Sequence, residues 1–195
     1  GERFAGILSE AGAKVVITGR RTPRLISVKE KIEKAGGTAI PLTLDVTNVA
    51  QVAETAAKAL ALGPVDVLFN NAGYGLAGAF EGASDAQLVN QLDTNLLGVM
   101  RVTQAFLPAM RERGQGTIIT TTSIGGLTTF PFNSVYHATK WALEGWSESL
   151  AFELEGHGIR VKTVAPGGIA TDFAGRSLVF TPHPAYMEAI AKTMA

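Results

Sequence analysis

Short apolar runs alternate along the chain with longer stretches in which apolar residues return every third or fourth position. The short runs are Lys14–Gly19, Thr38–Leu44, Val65–Asn70, Gly116–Thr122 and Ile159–Ala165. They are rich in Val, Ile, Leu and Thr and are bounded by Gly, Pro, Asn or Asp, so they read as strands. Their hydrophobicity is nearly continuous, which marks strands covered on both faces and hence a parallel sheet. Glu2–Glu10, Pro23–Ala35, Val49–Leu60, Asp85–Arg111 and Ser134–Glu155 read as helices. Gly12, Gly36-Gly37, Gly63-Pro64, Gly114 and Gly156 close them, and Asn48 is placed to cap the third. After Thr171 the pattern weakens: Phe180–Pro184 reads as a loop and Ala185–Ala195 as a cut-off helix.

Regular alternation of helix and strand predicts an α/β fold with a doubly wound parallel sheet, Rossmann-like, in a single domain spanning 1–195. In such sheets ligands bind beyond the carboxyl ends of the strands. Those ends carry Gly19-Arg20-Arg21, Asp45-Val46, Asn70-Asn71-Ala72-Gly73, Thr122-Ser123 and Pro166-Gly167. Polar residues or glycines at all five predict a long ligand laid across the strand tips.

Composition narrows the partners. Lys plus Arg (17) balances Asp plus Glu (17), so no global field favours nucleic acid or an anionic membrane. Cysteine is absent, which removes disulfides and thiolate chemistry and is compatible with a cytoplasmic location. No apolar run is long enough to span a bilayer. The opening Gly1–Ala5 reads as the inside of a helix, so the ends look clipped and a targeting segment stays open.

Tyr136 and Lys140 stand four apart on a predicted helix, on one face about one turn apart. A free phenol has a pKa near ~10, and a nearby ammonium favours the phenolate and lowers it. An ordinary surface Tyr and Lys would look the same. Ser123 follows a strand thirteen residues earlier, with Gly125-Gly126 behind it as an expected mobile loop. Its hydroxyl could hydrogen-bond a substrate carbonyl while Tyr136 supplies the proton. A Ser/Thr-rich turn explains it equally. Asn95 lies inside a long predicted helix, where asparagine is a poor choice. It is either a polar residue on a solvated face or a kink that places a carboxamide for a proton relay.

Taken together, Asn70-Asn71-Ala72-Gly73, the Asn95 region, Ser123, Tyr136-His137-Ala138-Thr139-Lys140 and Pro166-Gly167-Gly168-Ile169-Ala170-Thr171 resemble the short-chain dehydrogenase/reductase family in order and spacing over nearly the whole chain. The resemblance implies Tyr136 as catalytic acid/base, Lys140 lowering its pKa and binding the nicotinamide ribose, and Ser123 polarising the substrate oxygen. It implies that Asn95 holds a water linking Lys140 to solvent. Pro166, Gly167, the Ile169 backbone and Thr171 would hold the nicotinamide carboxamide. It further implies a mainly cofactor-binding half, 1–122, and a catalytic and substrate half, 123–195.

Lys14–Gly19 ends before Arg20-Arg21, and in dinucleotide folds an acid near such a strand tip binds the ribose hydroxyl of NAD, whereas an arginine accommodates the phosphate of NADP. Here Gly19 takes the acid's place and Arg20 follows it, so NADP(H) is expected, with Arg20 the main contact and Arg21 secondary. Two solvated arginines in a turn are the plain alternative. Asp45 and Val46 resemble the family's adenine pocket, and Asn71, Ala72 and Gly73 would let backbone pass close to the adenosine ribose. Gly1 aligns with the last glycine of the family's pyrophosphate loop. The first strand and the rest of that loop are therefore expected before it, and the family's last strand is also missing.

Tyr74, Leu76, Ile124, Phe130, Phe132, Phe173 and the apolar part of Ser177–Pro184 are candidate walls of a moderately apolar substrate pocket, or else core. His137 and His183 read as ordinary residues, with no metal-ligand spacing around them. Trp141, Leu143 and Trp146 leave apolar helix surface, and the family often assembles through this helix, so a homodimer or homotetramer is expected. Two rivals to a carbonyl reductase or alcohol dehydrogenase remain: a non-catalytic dinucleotide-binding regulatory protein, and an epimerase or dehydratase on the same fold.

Overall fold

Strand β1 (Lys14–Gly19) pairs in parallel with β2 (Thr38–Thr43), Lys14 opposite Thr38 and Gly19 opposite Thr43. The computed structural model describes residues 1–169 and 173–194. These gather into two compact units, Gly1–Val65 and Asp66–Ala195. In the first, helices α1 (Glu2–Glu10), α2 (Thr22–Lys34) and α3 (Val49–Ala61) accompany the strand pair. Its core is Ala5, Ile17, Leu25, Val28, Ile32 and Ala39, with Val15 against it. Asn48 caps α3 as its position predicted, Oδ1 accepting from the Gln51 N–H at 3.0 Å.

The second unit is built on three parallel strands in the order β3 (Val67–Asn70), β5 (Gly116–Thr121), β6 (Ile159–Val164). Between the first two in sequence lies β4 (Gly75–Gly78), which pairs in parallel with β7 (Leu178–Thr181). Central β5 is well covered, with Ile118 fully buried, whereas β6 exposes Arg160, Lys162, Thr163 and Val164. Covering on both faces therefore describes β5 and not β6.

Two expectations are corrected here. Asp85–Arg111 is not one uniform α-helix. It runs as α4 (Asp85–Leu92), a π-turn over Asp93–Leu97, and α5 (Gly98–Arg113), closed by Gly114 in the left-handed conformation at φ 65°. A π-turn inserts one residue into the helix and re-aims the side chains around it. Phe180 and Thr181 are not loop but the end of β7. Thr181 Oγ1 donates to the Ala77 and Ala79 carbonyls at 3.2 and 3.0 Å. A Cβ on Gly78 would come within 2.3 Å of the Thr181 carbonyl oxygen, so glycine is what allows this approach.

Helix α6 (Ser134–Leu154) carries the YxxxK pair, and α7 (Phe173–Arg176) and α8 (Met187–Met194) complete the unit. Among the described residues, no helix is long and apolar enough to cross a membrane.

Candidate active site

Strand β5 ends at Thr121, and Thr122 ties its tip to β6 by donating from Oγ1 to the Val164 carbonyl at 3.1 Å. Ser123 follows in extended backbone and enters a 3-10 turn over Ile124–Gly126, its Oγ accepting from the Gly125 N–H at 3.1 Å. Gly125 and Gly126 are buried. A Cβ on Gly125 would lie 2.8 Å from His137 Nδ1, and one on Gly126 would lie 2.8 Å from the Lys140 carbonyl oxygen. The two glycines thus let the turn lie flat on α6. The expected mobile loop is a packed one, chosen for closeness of approach rather than freedom.

The phenol of Tyr136, on α6, and the hydroxyl of Ser123, after β5, meet in a hydrogen bond. Burial pushes the Tyr136 phenol above the ordinary tyrosine range, and the bond from Ser123 only partly opposes this. Lys140 is buried, and burial lowers its ammonium from 10.5 to about 8 against the opposing pull of the Glu144 carboxylate. Nζ donates to the Thr121 carbonyl at 2.8 Å and lies 5.8 Å from the centre of the Tyr136 ring, within cation–π range. The ammonium engages the strand tip and the ring face, and burial is the largest influence on the phenol.

Asn95 sits in the π-turn and is fully buried, which rules out a solvated face. Its Oδ1 accepts from the Tyr74 N–H at 3.0 Å, and Nδ2 donates to the Tyr74 carbonyl at 2.8 Å and to Thr139 Oγ1 at 3.3 Å. Thr139 in turn donates to the Tyr136 carbonyl at 2.8 Å. The carboxamide therefore fastens the segment after β3 to the turn of α6 that carries Tyr136 and Lys140. A Cβ on Gly73 would stand 3.2 Å from Asn95 Oδ1 and 3.9 Å from Lys140 Nζ, so Gly73 keeps open a space that the buried ammonium faces. Among the described residues Nζ, which has three donors, makes one hydrogen bond.

The remaining cofactor candidates fall in both units. In the first, Gly1 stands exposed ahead of α1, and Arg20 and Arg21 are exposed after β1. Asp45 is half-buried. Burial raises its pKa, but hydrogen bonds from the Thr47 N–H (3.0 Å) and hydroxyl (2.8 Å), together with the Arg20 charge, outweigh this and leave it lowered. Val46 is half-buried beside it. In the second unit Asn71 and Ala72 are exposed, the Pro166 carbonyl accepts from the Ile124 N–H at 2.9 Å, and Gly167 and Ile169 are exposed. Thr171 lies outside the described residues.

Of the expected pocket walls, Phe173 comes closest to the chemistry, its ring centre 6.3 Å from that of Tyr136. Phe130 stacks at 5.5 Å on His137, and Ile124 is exposed beside Ser123. Phe132 adopts a left-handed φ of 59°, its carbonyl accepting from the Gly78 N–H at 2.7 Å. Tyr74 is held through its backbone by Asn95. Leu76 is 3% exposed and belongs to the core, not to a pocket wall. Leu143 is likewise fully buried, so of the expected contact surface on α6 it is Trp141 that stands out, at 49% exposure.

His137 is not an ordinary residue: it is buried and both its ring nitrogens are hydrogen-bonded to the loop after Ser123. His137 and Thr139 lie inside the Tyr136–Lys140 motif without being marked by it, and Glu144, eight residues after Tyr136, lies outside any motif.

The family profile described as short chain dehydrogenase matches residues 1–178. Human retinol dehydrogenase 8 is 44% identical over 160 residues, covering 80% of this chain and 51% of that relative. The chain thus spans about half the length of that protein. A short-chain dehydrogenase from Streptomyces avermitilis superposes with a TM-score of 0.87 at 38% identity, over 97% of this chain and 71% of the other. A metagenomic short-chain oxidoreductase solved with NADP superposes with a TM-score of 0.83 at 36% identity, over 87% of this chain and 78% of the other.

Proposed function

Because the chain belongs to the short-chain dehydrogenase family, we propose that it is an NADP(H)-linked oxidoreductase acting on a ketone, aldehyde or secondary alcohol, with Tyr136 as general acid/base. The observation that carries this reading is the Ser123–Tyr136 hydrogen bond above a buried Lys140. When bound, the nicotinamide supplies or accepts the hydride.

Tyr136, held protonated by burial, is poised to give its proton to an oxygen seated between it and Ser123. Ser123 donates to that same oxygen and polarises the carbonyl. Lys140, with donors left over after the Thr121 carbonyl, fits ribose hydroxyls in the space beside Gly73. Asn95 holds the Tyr74 and Thr139 sides of this space in register and would hold a water between Lys140 and solvent. Pro166, Gly167, Ile169 and Thr171 would take the carboxamide. Arg20, with Arg21 second, would take the ribose phosphate of NADP, and Asp45 and Val46 the adenine. Residues 1–122 would thus serve mainly the cofactor, and 123–195 the chemistry. Phe173 and Phe130, both substantially exposed, favour an apolar substrate. A retinoid-like or other lipid-derived carbonyl is in keeping with the relative named above. Trp141 and its helix would form the contact of a homodimer or homotetramer.

The test is nicotinamide absorbance with a panel of apolar ketones, at fixed NADPH or NADH. Tyr136→Phe should lower turnover by about 10²–10⁴-fold while NADPH still binds. Binding of NADPH without its consumption by any ketone would instead favour a regulatory protein or an epimerase or dehydratase.

A further inference from the structure

His137 follows the tyrosine and takes no part in the chemistry above, yet its ring is tied at both nitrogens. Nε2 accepts from the Phe130 N–H at 2.8 Å. An acceptor nitrogen carries no proton, so the proton sits on Nδ1, which donates to the Gly125 carbonyl at 2.7 Å. The imidazole is 5% exposed, and only glycine at position 125 lets the turn approach this closely. Gly125 is gripped from two sides: its N–H by Ser123 Oγ, its carbonyl by His137. The ring therefore spans the whole loop from the residue after Ile124 to Phe130, and fixes Ser123 relative to Tyr136.

A neutral imidazole satisfies both ends of the loop. An imidazolium carries N–H on both nitrogens and would face the Phe130 N–H donor to donor. We propose that His137 is a positioning residue that clamps the Ser123–Phe130 loop to α6 as the Nδ1–H neutral tautomer, and that its protonation releases the substrate side of the site. The catalytic consequence rests on the oxidoreductase reading; the clamp itself does not.

Among the described residues both imidazole nitrogens face backbone groups and no charged side chain is hydrogen-bonded to the ring. The loop from Ile124 to Phe130 and strand β4 hold no ionisable side chain. The titratable and charged groups on α6 and on the elements packed against it are Tyr136, Lys140, Glu144, Glu148, Glu153, Asp85, Asp93, Glu155, His157, Arg160 and Lys162. Among the described residues none of these carboxylates forms an ion pair with His137. Tyr136 and Lys140 both lose protons on the alkaline side, so neither produces a loss of activity on acidification.

The experiment is the pH profile of kcat/KM for ketone reduction in the wild type, His137→Gln and His137→Phe, with NADPH affinity measured alongside. Glutamine offers an acceptor and a donor and does not titrate. The expected wild-type profile falls on acidification, as the imidazole takes up its second proton, and levels off about tenfold lower, where the loop is unclamped. The glutamine variant should lack this acid limb. The phenylalanine variant should be lowered about tenfold at every pH, with NADPH affinity unchanged in both. An acid limb that persists in the glutamine variant, or full activity in the phenylalanine variant, overturns the proposal.

Imidazole nitrogen shifts and exchange protection of the Phe130 amide, read by NMR on the wild type, need neither turnover nor a variant. A neutral Nδ1–H tautomer with protection lost on acidification supports the clamp even if no ketone is reduced, in which case only the oxidoreductase reading falls. An Nε2–H tautomer overturns the clamp whatever the activity.

Discussion

Nζ of Lys140 lies 5.8 Å from the centre of the Tyr136 ring but donates to the Thr121 carbonyl at 2.8 Å. The ammonium supports the phenol from its face while strand β5 holds it in place. Burial then acts on both groups, raising the phenol and lowering the amine, in each case by disfavouring the charged form. Ultraviolet titration without added nucleotide should therefore show a tyrosinate component ionising above the ordinary range, and Tyr136→Phe should remove it. A Tyr136 component titrating below the ordinary range would contradict this.

The lowered Lys140 titration has a stability consequence with a definite sign. Between about 8 and 10.5 the unfolded chain binds a proton that the folded chain does not, so stability rises with pH across this window and is flat below it. The whole shift corresponds to roughly 3 kcal/mol, and the burial cost is fully present at neutral pH. In Lys140→Met the rise should disappear, and the variant should gain on the wild type as pH falls through the window. Urea unfolding at several pH values reads both slopes. Tyr136 acts oppositely, its contribution being lost as pH rises through its own raised titration, so the comparison is cleanest below 10.

Asn95 is buried with three hydrogen bonds, two of them to the Tyr74 backbone. Asn95→Leu would remove the acceptor for the Tyr74 N–H and leave the Tyr74 carbonyl to Gln91 Nε2, which donates to it at 2.9 Å, so the cost is about 1–3 kcal/mol, that of one buried group losing its partner. The expected outcome is a lowered urea midpoint together with a loss of kcat that Asn95→Asp only partly restores, since a carboxylate can accept from Tyr74 N–H but cannot donate to its carbonyl.

How much of this was legible depended on where the relevant partner lay. The strands that became β1, β2, β3, β5 and β6 and the helices around them carry their own periodicity, so their positions are read within a few residues. Strands β4 and β7 do not: Gly75–Gly78 is Gly and Ala with one Leu, and both strands exist because they pair across a hundred residues. Ser123, Tyr136 and Lys140 were readable as a set because the family motif fixes both residue type and spacing. Their electrostatics were not, because the shift of Tyr136 comes from burial and the direction of Lys140 from a carbonyl at the end of β5. His137 escaped for a related reason: its partners are backbone groups, which any sequence supplies.

The choice of cofactor rests on an exposed arginine, and that makes it separable from the fold. Arg20 stands after β1, close enough to lower the Asp45 carboxyl, with Gly19 before it where an acid would repel a phosphate. Removing a charge-assisted hydrogen bond costs about 1.5–3 kcal/mol, or roughly ten- to a hundredfold in binding. Arg20→Ala should therefore raise the NADPH KM by that factor and leave the NADH KM nearly unchanged, because NADH has no phosphate at that position. Gly19→Asp in the same background should go further and turn the preference toward NADH by like-charge repulsion. Since Arg20 is on the surface, neither change should move the urea midpoint appreciably, which separates lost recognition from lost structure. Equal losses with both nucleotides would mean that the guanidinium serves something common to them, and the case for NADP(H) over NAD(H) would fail with it.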